Sequence, residues 1–204
     1  MKAYKFRSAS QLSFALEIIF DQRLYCADWK TLNDPMEGMF AFSVPAGADR
    51  NVVDIAVQGI VNGKTGLRVC SLSTTFDCHL LWAHYAGGFD GLALEVEIPD
   101  DDPRARHVTY GGVFAAVNDI NKLPDDIARD VLFSKYREWE YEREVRILQT
   151  GNYFDLPTPV QRVIVGHRMR PSVLRAIQII CEKQGIPLLR TGIGDEGIDA
   201  DVIE

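Results

Sequence analysis

The sequence predicts an α+β fold: a single domain built on a mixed, mostly antiparallel sheet of short strands flanked by helices. Three observations carry that expectation. Segments that alternate with period two are interleaved with segments of helical period along all 204 residues, and no internal repeat or Ser/Gly linker divides them. The strand-like stretches are short and their connections irregular, unlike the regular units of a doubly wound parallel sheet. An apolar fraction of 47% with 25% charged residues is that of a globular chain able to bury a substantial core.

The elements follow in order. Residues 4–7 open as a short strand, and Ser10 is placed to cap a helix whose Leu12, Leu16 and Ile19 fall on one face. Residues 23–27 read as a strand that runs into the turn Asn33-Asp34-Pro35. Val52, Val53, Ala56, Val57 and Ile60 predict a second helix, ended at Asn62-Gly63. Residues 66–74 are β-rich, and Asp77 can cap a helix through Leu80, Leu81 and Tyr85 that stops at Gly87-Gly88. The clearest strand is 91–98, with Leu92, Leu94, Val96 and Ile98 on one face and Ala93, Glu95 and Glu97 on the other.

Beyond Pro99, residues 108–110 read as a strand and 124–136 as a helix with Pro124 at its start. Two strands are expected at 144–149 and 160–166, then a helix from Pro171 through Ile177 and Cys181 to Gly185, then a short strand at 187–190. The domain is taken as 1–191, with 192–204 a loosely held acidic tail.

Composition removes several classes of function. A net charge of −7 argues against non-specific nucleic-acid binding, which needs a basic surface. No apolar run approaches the roughly 20 residues that span a bilayer, and no apolar segment follows the basic start as in an export signal. Cys26, Cys70, Cys78 and Cys181 form no Cys-x-x-Cys pair and read as reduced thiols, which points to the cytoplasm. His79 and His84 lie about 140° apart around a helix, so they build no metal site.

Chemistry concentrates in three segments. Asn33 and Glu37 bracket the Asn-Asp-Pro turn and can face a ligand, although the triplet is also a plain turn former. In Trp82-Ala83-His84-Tyr85 the tryptophan and tyrosine suit packing, while a histidine suits proton transfer near neutral pH. If 140–147 is extended, Glu140, Glu142, Glu144 and Arg146 share one side. Neighbouring carboxylates repel unless cations compensate, and Arg146 with Lys135 or Arg137 can do so. Such a cluster is a candidate acid/base site, or else a salt-bridged edge strand. No P-loop, dinucleotide glycine fingerprint or Gly-x-Ser-x-Gly elbow is present; Ser71 and Ser73 share a strand face without an identifiable base.

The ordered motifs Tyr4-Lys5-Phe6-Arg7-Ser8, Arg23-Leu24-Tyr25 and Leu32-Asn33-Asp34-Pro35-Met36-Glu37 resemble the bacterial domain of unknown function 2971 family. The resemblance continues through Val69-Cys70-Ser71-Leu72-Ser73, Leu81-Trp82-Ala83-His84-Tyr85 and Asp90-Gly91-Leu92. It resumes at Lys135, Trp139, Tyr141-Glu142, Glu144 and Arg146 and ends near Ile164-Val165-Gly166. Family members more often carry Phe where this chain has Met36. The order of elements is also weakly similar to ADP-ribosyltransferases, in which a His or Arg, a Tyr or Ser, and a late Glu hold NAD. That similarity implies Lys5 or Arg7 at the first position, Ser71 or Tyr85 at the second, and Glu142 or Glu144 at the third; the usual His-x-Thr is missing.

Together these readings make Glu142, Glu144 and His84 the candidate catalytic residues. Arg7, Asn33, Glu37, Ser71, Tyr85 and Arg146 are the candidate ligand contacts. The expected ligand is a nucleotide-like small molecule, with NAD as substrate. A non-catalytic binding or regulatory module, for example in phage defence or toxin systems, is the alternative.

Overall fold

A computed structural model describes residues 1–44, 47, 49–118, 122–195 and 197–203. In chain order the first strands are β1 (Lys2–Arg7), β2 (Arg23–Tyr25), β3 (Ala27–Asp28), β4 (Phe40–Phe42) and β5 (Arg68–Ser73). Next come β6 (Leu92–Glu97), β7 (Ala105–His107), β8 (Thr109–Gly111), β9 (Ala115–Val117) and β10 (Ser134–Tyr136). The last are β11 (Glu144–Gln149), β12 (Tyr153–Asp155), β13 (Arg162–Val165), β14 (Leu188–Gly194) and β15 (Gly197–Val202). The helices are α1 (Leu12–Asp21), α2 (Arg50–Gly63), α3 (His79–Tyr85), α4 (Pro124–Leu132) and α5 (Pro171–Gln184).

The architecture is α+β, as the sequence predicts. A nine-stranded sheet runs β15-β14-β13-β6-β1-β5-β11-β7, with β3 also paired to β5. Within it only β13 and β14 are parallel. Alternation sorts the side chains as expected. Leu92, Leu94 and Val96 of β6 enter the core beneath α1 and α5, while Ala93 packs on the opposite side with Trp82 of α3. Trp82 is fully buried, stacked on Phe89 at 5.4 Å and bonded through Nε1 to the Phe76 carbonyl. A satellite core joins α2 and α4 through Ile60, Ile127, Ala128 and Val131.

The sheet is split at its centre. β1 pairs with β6 along its whole length, from Lys2↔Glu97 to Arg7↔Leu92, but meets β5 only at Tyr4↔Ser73. The far half of β5 pairs instead with β3, at Ala27↔Val69 and Asp28↔Arg68. Gly91 holds the end of β1 on the β6 side: a Cβ there would lie 2.1 Å from the Arg7 carbonyl oxygen, so no larger residue allows that approach. Between the diverging strands the Lys5 ammonium donates to the Ser71 carbonyl oxygen at 2.7 Å, taking the place of a ladder N–H.

Several expected boundaries move. Residues 137–142 are a 3-10 helix, not strand, and Arg143 at φ 44° turns the chain into β11. Glu140 therefore points to solvent and leaves the carboxylate row. Ser10 caps no helix, since a 3-10 turn over Ala9–Gln11 precedes α1 and the Ser10 hydroxyl bonds to Ser8. Asp77 takes the Thr75 hydroxyl, and α3 starts after Cys78. The helix expected over 124–136 ends at Leu132, because 134–136 pairs with β8. Most consequentially, the tail is not loose. Residues 192–194 extend β14, and β15 pairs with it from Gly194↔Gly197 to Leu189↔Val202, burying Ile198 beside Leu189.

Candidate functional site

A cleft of about 630 Å³ opens where β1 and β5 separate. Lys5 and Arg7 contribute from β1, Ser71 and Ser73 from β5, and Asn33 and Glu37 from the Asn-Asp-Pro turn. His84 and Tyr85 come from α3, Lys135 from β10, Glu142 from the 3-10 turn before β11, and Glu144 from β11. Strand alternation puts Ser71, Ser73, Glu144 and Arg146 on one face of the sheet, by the pairs Glu144↔Ser73 and Arg146↔Ser71. Lys5 and Arg7 belong to the other face, with Ala3; the split is what lets both sets share one cavity.

The carboxylates form a closed network around two buried cations. Arg146, with no exposed surface, donates from Nε to Glu144 at 2.7 Å and from Nη1 to Glu37 at 2.8 Å and to the Leu132 carbonyl at 2.6 Å. Its Nη2 also reaches both Glu37 and Glu144. Lys135 donates to Glu142 at 2.5 Å and to Glu144 at 3.0 Å, with Glu37 at 3.9 Å. The Tyr85 hydroxyl donates to the other Glu142 oxygen at 2.6 Å. Ser73 anchors the Glu142 carbonyl at 2.6 Å, and the Glu144 amide donates to the Tyr110 hydroxyl at 2.7 Å.

Three carboxylates against two cations leave one negative charge in excess, and its place follows from the contacts. Burial pushes the Glu144 carboxyl up, but Arg146 and Lys135 overcome it and hold the group down at about 2. Burial wins at Glu142, which is raised despite Lys135 and the Tyr85 hydrogen bond. Glu37 is raised by burial too, against the pull of Arg146. Glu37 and Glu142 both combine a raised pKa with a place in the cleft lining; Glu37 gives both oxygens to the Arg146 guanidinium, whereas Glu142 accepts from Lys135 and the Tyr85 hydroxyl. On β1, burial lowers both Lys5 and Arg7; neither forms an ion pair among the described residues, although the Glu144 charge pulls Lys5 up. The Arg7 Nε is buried without an acceptor.

The sequence-predicted residues thus divide into three groups. Glu37, Glu142, Glu144, Arg146 and Tyr85 meet directly. Arg7, Asn33 and Ser71 line the same cavity at the edge of the network: Asn33 opposes the burial that raises the Tyr85 hydroxyl, and Ser71 helps to hold Glu144 down. His84 is exposed at the rim, its ring 6.3 Å from that of Tyr141 and 6.5 Å from that of Trp139. Lys135 proved to be the second cation of the network, in preference to Arg137, which is exposed. Tyr110 was missed, since nothing in its local sequence marks a hydroxyl that will meet β11. No family model, no curated protein and no solved structure matches this chain. Among the described residues no helix is long and apolar enough to cross a membrane.

Proposed function

We propose that the protein is a small enzyme acting on a nucleotide-like ligand, with NAD as substrate and Glu142 as the catalytic carboxylate. The observation that carries this reading is the polarity of the cleft. Three carboxylates in excess of their two cations line the same cavity as two further cations that form no ion pair among the described residues. Lys5 and Arg7 suit a pyrophosphate. Glu142 suits a ribose hydroxyl and the positive charge that develops on the ribose carbon. In the reaction the bond from that carbon to nicotinamide breaks and nicotinamide leaves with the electron pair. Water or an acceptor group then bonds to the carbon and gives up a proton. A volume of about 630 Å³ lies in the range of small-molecule sites.

The test is incubation of pure protein with NAD and candidate acceptors, with chromatography for free nicotinamide. Nicotinamide release that falls by about 100-fold or more in Glu142→Gln supports the proposal. That variant should fold at least as stably as the wild type, because it removes the excess charge. Absence of release together with absence of any NAD-dependent thermal shift refutes it.

A second reading, a non-catalytic binding or regulatory module such as one in phage defence, draws on the mutual satisfaction of Glu37, Glu144 and Arg146. Under it NAD or another nucleotide raises the melting temperature without turnover, and Glu142→Gln keeps cellular activity.

A further inference from the structure

A second cavity, also of about 630 Å³, lies behind the Asn-Asp-Pro turn and is walled by Trp29, Phe40, Val61, Met39 and Phe114. Lys64 enters it from the end of α2 and is only 4% exposed. Its ammonium sits 4.8 Å from the Trp29 ring centre and 4.9 Å from that of Phe40. Its acceptor among the described residues is the Gly38 carbonyl at 2.5 Å. An ammonium has three donors, so this leaves two of them facing aromatic rings in a desolvated place.

Neither acid of the cavity forms an ion pair with Lys64 among the described residues. Glu37 is committed to Arg146, and Asp34 accepts the Met36 amide at 2.8 Å in an Asx turn. Lys30 adds a second cation, 5.5 Å from the Trp29 ring. The base of the cavity therefore holds a buried cation without an acid partner among the described residues. Its rim is apolar and half open: Met39, Phe114 and Val61 are 49%, 46% and 42% exposed. The floor is closely packed: Gly38, at φ 70°, lies so near Trp29 that a Cβ would come within 2.6 Å of the indole.

We infer that this cavity binds a small organic monocarboxylate with an aromatic or apolar body, its carboxylate on Lys64 and its body between Trp29, Phe40 and Phe114. Charge complementarity selects the anion, and the exposed apolar rim selects a body that would cover it. The site adjoins the cleft that holds Glu142, with Leu32 and Glu37 lining both, and does not depend on the activity proposed there.

The test uses 3-phenylpropionate and its neutral isostere 3-phenylpropanamide, titrated by calorimetry and followed by the indole NMR signals. The wild type should bind the acid about tenfold or more tighter than the amide, as for a charge-assisted hydrogen bond. Lys64→Met should abolish that preference and leave the amide unchanged, while Lys5→Met in the other cleft should alter neither. Phe114→Ala, a surface change that spares the core, should weaken acid and amide alike. Equal affinity for acid and amide, absence of saturable binding to the wild type, or loss of acid binding in Lys5→Met rather than Lys64→Met would overturn the inference.

Discussion

Replacing Arg146 by Met keeps an unbranched apolar stem and removes the charge at the centre of the network. Arg146 is fully buried and makes five hydrogen bonds, to Glu37, Glu144 and the Leu132 carbonyl. Its loss leaves three buried carboxylates with Lys135 alone. Breaking a buried ion pair from one side costs about 3–5 kcal/mol. In a chain of this size that lowers the melting temperature by about 6–20 °C.

The same substitution has a pH signature. In the wild type Glu144 is depressed to about 2. Its contribution to stability is complete above the unfolded carboxyl pKa of about 4.3 and is lost as pH falls towards 2. Without Arg146, burial raises Glu144 and raises Glu37 further, so the variant gains stability on protonation as pH falls. The gap between wild type and variant should thus be widest near pH 8 and narrower at pH 5, as measured by urea unfolding at both. A loss below about 1 kcal/mol at pH 8, or a gap that widens on acidification, would refute the assignment of Arg146 as the charge that holds the cluster.

Two further outcomes follow from neighbouring contacts. Tyr85→Phe removes a hydrogen bond that pulls Glu142 down, so the raised carboxyl should rise further. The stability that protonated Glu142 contributes at low pH, lost as pH rises through its folded pKa, should then persist to higher pH in urea unfolding curves. Ending the chain after Gly194 removes β15 and Ile198 and uncovers Leu189; it should cost about 2 kcal/mol or more. A truncated protein that unfolds at the same urea concentration as the full chain would show that this hairpin contributes no packing.

Local features were legible in the sequence wherever near neighbours decide the conformation. Pro171 opens α5, and Gly185 closes it in the left-handed region. Gly87 and Gly88 stop α3 with positive φ, and Asp34 folds its own turn. The alternation of β6 sorts its faces as read. Reading 140–147 as one strand failed because alternating residues do not reveal a 3-10 turn ended by a left-handed arginine. The tail failed because its acidic composition conceals that Ile198 finds Leu189 and Ala93 in a common cluster.

What the sequence determined by itself is the class of fold, both ends of α5 and the stops of α2 and α3, and the residue types available for chemistry. The meeting of Glu37 with Arg146 across 109 positions, the split between β1 and β5, and the burial that raises Glu142 were decided only in three dimensions. The reason is physical. Backbone preference is set within a turn or two of chain, whereas the cost of burying a charge depends on which distant partners the folded sheet brings beside it.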